Sequence, residues 1–379
     1  MDMLKGLLRW IFLFCAIAVA TMSSAYALTY QSFIGTAFDN PANLSLIKQN
    51  QILLGATDID KNAHFVGTLA TTSGTVTSKT NTFLPYGRFA TRLSEQFVVG
   101  VNISQPLFTN LQYPRGSFIN SLAVDTEIRD YDISPRMSYQ VTKDLALGLG
   151  INFNHLFKTR LNFNIAPFGL LANHADSWAK GWDAGLFYAI KYGTYLSASY
   201  YSKIVQSASG RSTWGSTVTR TKTSVIIPAT LTGDLIQYFS KQWLIDAQLR
   251  FIQWSPVQYT VLDSTAAGNI TLTQKFHNTF EYGLSTKYDF NDQWSGLGTL
   301  VYSPASQITA YRSLSLPSFR AWIAGLGGEY NTGKGLKAKL VYLHVFDHPP
   351  INTATSSGLL VGRLNVVSNV LDLSLIYDF

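Results

Sequence analysis

The sequence predicts an all-β protein: a transmembrane antiparallel β-barrel of about 14 strands. Charged residues make up 13% of the chain and aromatic residues another 13%, whereas about a quarter of an ordinary soluble domain is charged. Segments that alternate apolar with small or polar residues recur along the chain. Such alternation is typical of strands that face lipid on one side and a lumen on the other. After Ala27, no apolar run approaches the ~20 residues that a membrane helix needs.

The first 27 residues have the parts of a secretory signal peptide. A basic start is followed by the apolar run Trp10–Ala20 and by the A-x-A cleavage pattern of Ala25–Ala27. We therefore expect Met1–Ala27 to be removed. A membrane anchor is the weaker alternative, because this apolar run is too short to span a bilayer comfortably. Cys15, the only cysteine, lies in this segment, so the mature chain is expected to form no disulfide or thiolate metal site.

Fourteen strand-like segments follow Leu28–Lys48, which is not a clean strand because Pro41 interrupts it. The last segment shows the alternation clearly, and its apolar face carries Leu371, Leu373, Leu375, Tyr377 and Phe379. The chain ends on this aromatic residue without a tail, which is typical of a strand that closes an outer-membrane barrel. The predicted strands are Gln49–Asp58, Phe83–Leu93, Phe97–Ser104, Leu122–Gln140, Leu145–Phe157, Gly181–Lys191, Thr194–Val205, Arg220–Phe239, Trp243–Trp254, Lys275–Asp289, Trp294–Ser303, Ser318–Asn331, Leu336–Phe346 and Val366–Phe379.

The connections between these segments have two sizes. Short polar turns such as Thr142–Asp144 alternate with long connections, predicted to be loops, at Asp60–Thr82, Arg160–Lys180, Ser255–Gln274 and Asp347–Gly362. Outer-membrane barrels have short turns in the periplasm and long loops outside. The expected location is therefore a bacterial outer membrane, with multiple passes and both termini in the periplasm.

The alternation also predicts which way side chains point. Leu147, Leu149, Leu249 and Leu375 are expected to face lipid, whereas Gly150, Asn152 and Gln248 are expected to face the lumen. Asp246, Gln248 and Arg250 share one inward row and are candidates for polar contact with a ligand carboxylate. The alternative is an ordinary network of lumen charges.

Catalytic chemistry has no support in the sequence. There is no G-x-S-x-G motif, and none of the six histidines pairs with another ligand at a convincing metal spacing. We predict no catalytic residues, no metal, no cofactor and no enzyme activity.

The formal charge of +7 is not gathered into a basic cluster, so nucleic acid is not an expected partner. The excess Lys and Arg fit barrel rims that face lipid and lipopolysaccharide phosphates.

Several stretches resemble the FadL-type family of outer-membrane transporters for long-chain fatty acids and aromatic hydrocarbons. Asp132–Phe157 is similar to the family's SP-x-x-x-Y and L-x-L-G-x-G hairpin, and Gly181–Ser202 to the next hairpin. Ile227–Ser255 resembles an IP-containing segment that ends in W-S. Leu316–Phe346 and the terminal Tyr377–Phe379 also fit. The resemblance covers nearly the whole mature chain and is strongest from Asp132 onward.

The resemblance implies that a short N-terminal hatch, Leu28–Lys48, lies in the lumen of a barrel formed by Gln49–Phe379. The family hatch ends in Asn-Pro-Ala just before the first strand, and Asn40-Pro41-Ala42 stands there in this sequence. The hatch or ligand-passage candidates are Phe33, Phe38, Asn40, Pro41 and Ala42. This hatch is shorter than is usual for the family. The family also has a kinked third strand that opens the wall sideways, and Phe97–Ser104 is short and ends at Gln105-Pro106.

Two functions of different classes follow. The first is passive uptake of hydrophobic small molecules, long-chain fatty acids before aromatic hydrocarbons, through a lumen pocket with lateral exit into the bilayer. The second is a surface interaction protein, such as an adhesin or phage receptor, with a filled barrel. The expected partners are a hydrophobic solute, outer-membrane lipid and lipopolysaccharide, and the barrel-assembly machinery, which would read the C-terminal strand.

Overall fold

The computed structural model describes residues 37–379 apart from positions 192 and 319. The predicted signal peptide and Phe33 of the predicted hatch lie outside these residues. No helix in the described part of the chain is long and apolar enough to cross a membrane.

Short 3-10 helices occur at Pro41–Leu46 and Thr309–Tyr311. The strands are β1 Gln51–Leu69, β2 Thr72–Arg92, β3 Phe97–Ser104, β4 Phe108–Gln112, β5 Asp125–Gln140, β6 Leu145–Ile165, β7 Gly169–Ala189, β8 Thr194–Tyr201, β9 Ile204–Trp214, β10 Thr217–Ile227, β11 Thr230–Tyr238, β12 Trp243–Ile252, β13 Tyr259–Thr265, β14 Gly268–Thr273, β15 Thr279–Asp289, β16 Trp294–Ser303, β17 Ala321–Asn331, β18 Leu336–Asp347, β19 Pro350–Thr355 and β20 Gly358–Asp378.

Fourteen of these strands form one closed antiparallel wall, which confirms the predicted fold class. The wall runs in the order β1, β2, β3, β5, β6, β7, β8, β11, β12, β15, β16, β17, β18 and β20. It closes because β20 pairs with β1 along its length, from Gln51 opposite Asp378 to Leu69 opposite Leu360. The backbone N–H of Phe379 also donates to the carbonyl of Asn50 at 2.9 Å. Closure pairs the first wall strand with the last, so neither of these two strands is left as a free edge in the lipid.

The prediction of long loops was wrong, because most of those segments are β-hairpins. β1 and β2 remain paired up to Leu69 opposite Thr72, so Asp60–Thr82 is a continuation of two wall strands. β13 and β14 occupy most of Ser255–Gln274, and Arg220–Phe239 contains two strands, of which only β11 belongs to the wall. Backbone groups beyond the bilayer can still pair with each other, so the ladders continue into water.

The two faces of the wall have the predicted side chains. Leu149 is 55% exposed on the outer surface, and Leu147, Leu249 and Leu375 share its orientation. Asn152 is fully buried on the inner face. This difference follows the alternation along each strand, since successive side chains point to opposite faces. The outer face therefore presents an apolar surface to lipid, and the inner face carries most of the polar side chains.

Candidate functional site

A short segment before the first strand lies inside the lumen. Asn40 caps the 3-10 helix Pro41–Leu46, and its Oδ1 accepts the backbone N–H of Ala42 at 2.9 Å. The Asn40 amide nitrogen lies 2.9 Å from the carbonyl of Leu186 on β7 and 2.9 Å from Ser197 Oγ on β8. Pro41 suits this position because the first helical residue needs no free N–H. The cap thus fixes the segment against two wall strands.

Two glycines in the wall allow this close contact. A Cβ at Gly185 on β7 would lie 2.8 Å from Asn40 Cγ and 3.1 Å from Pro41 Cδ. A Cβ at Gly148 on β6 would lie 2.8 Å from Ala42 Cα. All three distances are below normal van der Waals contact, so any other residue would push the segment away from the wall. Ala42 itself is fully buried.

The other end of the segment is attached to β2 and β3. The Arg92 guanidinium on β2 donates to the carbonyl of Ser45 at 2.8 Å and to that of Ile47 at 2.6 Å. Leu44 and Ile47 pack against Ala90 of β2 and Val98 of β3. Residues 40–47, named the lumen strap here, therefore follow the inner wall from β7 and β8, past β6 and β5, to β2 and β3.

The residues just before the lumen strap also contact the wall. Phe38 meets Tyr201 edge to face, with ring centroids 4.8 Å apart, and Asp39 pairs with Arg88 at 3.4 Å. Of the predicted hatch residues, Phe38, Asn40, Pro41 and Ala42 thus lie together at the inner wall. Phe38 adopts a positive φ of 60°, which is unusual for a bulky residue and holds the chain in a sharp bend.

The wall is interrupted beside the third strand. β3 ends at Ser104 and β4 begins at Phe108, and both pair with β5. On the other side, β2 pairs with β3 only from Gly87 to Arg92. Among the described residues, no backbone ladder joins β4 to β2. The sheet therefore has a gap in its backbone hydrogen bonding along the part of β2 that precedes Gly87.

Side chains bridge this gap. The Arg129 guanidinium on β5 donates to the carbonyl of Phe83 at 2.7 Å. The amide nitrogens of Gln105 and Asn110 reach the carbonyls of Pro85 and Asn81 only at 3.5 Å, near the limit for a hydrogen bond. Further bonds run from the Gln112 N–H to Ser78 Oγ at 2.7 Å and from Thr80 Oγ1 to the carbonyl of Asn110 at 3.1 Å. Hydrogen bonds that involve side chains thus replace a stretch of backbone ladder.

Pro85 helps to explain why the ladder stops there. The carbonyls of Phe83 and Pro85 point toward the gap, and in a strand the N–H of a residue points the same way as its carbonyl. Pro85 has no N–H to offer on that side, so a partner strand would find a missing donor. Proline therefore lies on a stretch of the wall that has no backbone ladder on that side.

A buried polar network lies on the inner face of β5, β6 and β7. Arg136 and Asp183 pair at 3.0 Å, and each side chain is only 3% exposed. The Asn152 amide lies 2.9 Å from Asp183 and 3.0 Å from Asp132. Arg136 Nη1 is buried and has no hydrogen-bond partner among the described residues. Such a donor is suited to an anionic group, because guanidinium groups bind carboxylates with charge-assisted bonds.

The predicted row Asp246, Gln248 and Arg250 lies on the inner face of β12, and all three side chains are buried. Gln248 donates to Asp234 on β11 at 2.8 Å, and Arg250 lies 3.7 Å from Glu281 on β15. Arg250 is thus held by an acid of the wall. Asp246 differs, because neither of its carboxylate oxygens has a hydrogen-bond partner in the described residues.

Apolar side chains share the lumen with these polar groups. Phe187, Leu244 and Val301 are buried on the inner face and belong to one cluster with Ala42 of the lumen strap. The sequence alternation predicts Phe187 and Leu244 inside. It did not single out Arg136, Asp183 or Arg129, although Arg136 follows the same inward alternation as its strand neighbours. No group of three or more potential metal ligands occurs in the described part of the chain.

A closed wall with a lipid-facing exterior, a mixed lumen that holds a strap against the inner wall, and an interrupted ladder beside β3 define an outer-membrane β-barrel channel. Residues 16–379 match the sequence model of the family described as outer membrane protein transport protein (OMPP1/FadL/TodX), and the chain belongs to this family. The resemblance drawn from the sequence is thereby confirmed. The family consists of transport channels for hydrophobic compounds, so the prediction that the chain is not an enzyme is also confirmed.

Individual relatives are distant. The chain is 21% identical over 371 residues to the long-chain fatty acid transport protein of Escherichia coli K12, covering 82% of each chain. The crystal structure of a Pseudomonas aeruginosa FadL homologue superposes with a TM-score of 0.82 at 18% identity, over 91% of this chain and 94% of that one. The Pseudomonas putida toluene transporter TodX gives a TM-score of 0.69 at 17% identity, over 91% and 94%. These similarities show the fold, and the chain is an outer-membrane channel for hydrophobic compounds.

Proposed function

We propose that the protein carries hydrophobic small molecules passively into the outer membrane, with long-chain fatty acids as the first candidates and aromatic hydrocarbons as the second. The observation that carries this proposal is the interrupted ladder beside β3. A solute that leaves through the wall enters the bilayer directly and never has to dissolve in water. The names of relatives support both cargo classes, since one is a fatty acid transport protein and another a toluene transporter.

The gap is suited to lateral exit because side chains close it. Opening a continuous β-ladder in a membrane would leave several backbone groups unpaired, and each costs several kcal/mol there (roughly 4–8 in a purely apolar solvent). At Asn81–Pro85 the carbonyls are held by Gln105, Asn110 and Arg129 instead. These side chains can swing away without breaking any strand pairing, so a passage can form at a much smaller cost.

Arg136 supports fatty acids as first candidates. Its unpartnered Nη1 lies in the buried network with Asp132 and Asp183, and Tyr201, which Phe38 contacts, bonds to Asp132 at 3.3 Å. A carboxylate there would have a guanidinium donor beside aromatic rings. Asp246, Gln248 and Arg250 are further candidates for contact with the polar part of a cargo molecule.

The chain organisation forms part of the proposal. Met1–Ala27 acts as a cleaved signal peptide, 28–48 as the hatch, and 49–379 as the barrel. Phe33, Phe38 and Asn40-Pro41-Ala42 line or limit the passage. Both termini lie in the periplasm. Lipid and lipopolysaccharide surround the wall, and the assembly machinery recognises the last strand.

A reversible cross-link across the gap tests lateral exit. In a Thr82→Cys, Asn110→Cys double variant, a mild added oxidant should form a disulfide bridge between β2 and β4, and dithiothreitol should reduce it again, since Thr82 Oγ1 and Asn110 Nδ2 are 3.4 Å apart. Uptake of a labelled long-chain fatty acid and of toluene should fall when the bridge forms. The matched control is Thr91→Cys with Val99→Cys, which stand opposite each other in the continuous β2–β3 ladder and should leave uptake unchanged.

Unchanged uptake with the gap bridged would contradict lateral exit. Deletion of the gene provides the broader test: growth on a long-chain fatty acid or uptake of toluene should decline. If neither changes while adhesion or phage binding is lost, the surface interaction function is favoured instead.

A further inference from the structure

The inner wall carries another unpartnered polar group, an acceptor rather than the donor found at Arg136. This group is Asp246 on β12, whose side chain points inward and is 1% exposed. Both carboxylate oxygens are buried, and no hydrogen-bond donor among the described residues reaches either of them. A buried carboxyl group without a partner is costly, because it gives up hydrogen bonds with water and receives none in return.

The polar groups around Asp246 bond to one another. Across the ladder on β15 stands Ser285, whose hydroxyl bonds to Thr299 at 2.9 Å. Gln248, two residues along the same inward row, donates to Asp234. The one nearby cation on this strand, Arg250, is bonded to Gln248 at 3.4 Å and paired with Glu281. The polar side chains around Asp246 therefore bond to other partners, and the buried carboxyl group of Asp246 receives no hydrogen bond from the described residues.

Apolar side chains flank the same position. Ile236 stands opposite Asp246 on β11 and is 1% exposed, and Leu244 precedes it on the inner face of β12. Both belong to the apolar cluster that lines the lumen. An acceptor set beside apolar side chains fits a molecule with an apolar body and a polar head that donates hydrogen bonds.

We propose that Asp246 binds the ammonium group of hydrophobic amines. The lumen would then have a site for cationic amphiphiles in addition to the Arg136 site for carboxylate head groups. The strands β5 and β12 that carry these two residues are separated in the wall by β6, β7, β8 and β11. An ammonium group supplies three donors for the unpartnered oxygens and a positive charge that stabilises the ionised form of the carboxyl group. This inference extends the proposed transport function to a further cargo class.

Binding of three matched eight-carbon probes to the folded barrel in a nonionic detergent tests this site. Octylammonium, octanol and octanoate share one apolar body and differ in the head. We expect octylammonium to bind more tightly than octanol, and Asp246→Asn to weaken octylammonium roughly tenfold or more, since a hydrogen bond to a charged group is worth about 1.5–3 kcal/mol. Binding of octanol should be unchanged in this variant.

Arg136→Gln provides the reciprocal control, because it should weaken octanoate and spare octylammonium. Equal binding of octylammonium and octanol by the native barrel would overturn the inference. This comparison uses only the native protein, so it does not depend on whether a variant folds. An Asp246→Asn barrel that binds octylammonium as before would also overturn it. If octanol and octanoate fail to bind the native barrel at all, the proposed transport function is at fault rather than this site.

Discussion

Asn40 rests directly on Gly185: the carbon atom that a larger residue would add at position 185 would lie 2.8 Å from Asn40 Cγ. The absence of a side chain at that position allows the Asn40 amide to reach the carbonyl of Leu186 at 2.9 Å. One missing side chain on β7 therefore fixes where the lumen strap enters the wall.

Replacing this glycine should release the lumen strap. In Gly185→Val, the added side chain should displace Asn40 and raise single-channel conductance and sensitivity to bulky hydrophilic antibiotics. Gly233→Val on β11 is the matched control, because nothing lies within 4 Å of a Cβ built there. If both variants conduct like the native channel, the strap does not restrict the lumen.

The guanidinium of Arg129 should hold the wall gap closed. Arg129→Met keeps an apolar chain near the Phe157 ring, over which the guanidinium now lies at 5.5 Å, but frees the carbonyl of Phe83. Loss of a charge-assisted hydrogen bond of about 1.5–3 kcal/mol should favour the open gap roughly tenfold or more and raise the initial rate of hydrophobic solute uptake. Arg211→Met, on the exposed face of β9, should leave that rate unchanged; an equal rise in both variants would exclude a specific role for Arg129.

A charge on the lipid face should be costly only where lipid is present. Leu149→Arg should lower the free energy of unfolding by about 2–4 kcal/mol if position 149 lies near the bilayer midplane. The control is Val66→Arg, which is also on the outer face but lies in β1 beyond the ~9–11 residues that cross a membrane. Denaturant titration of barrels refolded into vesicles measures both costs, and similar values would mean that the position of the bilayer is misplaced.

The terminal residue should assist closure of the barrel. Phe379 donates to and accepts from the backbone of Asn50, at 2.9 and 3.1 Å, and its ring stacks on Tyr377 with centroids 5.7 Å apart. Deleting Phe379 removes these contacts from the β1–β20 pair and should slow the appearance of heat-modifiable folded barrel. Phe379→Tyr should assemble at the native rate. Normal kinetics after deletion would show that closure does not depend on this residue.

The sequence alone determined the wall. β3 and β16 have the predicted bounds, Phe97–Ser104 and Trp294–Ser303, because lipid on one side and lumen on the other impose a local alternation. Asn40-Pro41-Ala42 was recognised by its resemblance to a family motif. The extent of the hairpins was not predicted, because serine- and threonine-rich segments pair in water without a strong apolar pattern.

Only the tertiary structure decided the chemistry of the lumen. Asp246 and Arg250 belong to the same inward row of one strand, and the alternation treats them alike. The register of neighbouring strands places Glu281 directly opposite Arg250 and Ile236 opposite Asp246, so Arg250 has an ionic partner and Asp246 has none among the described residues. Likewise, Gly185 and Asn40 meet only because the segment before β1 lies against the inner wall at β7. These outcomes depend on contacts between residues far apart in the chain, which no local pattern encodes.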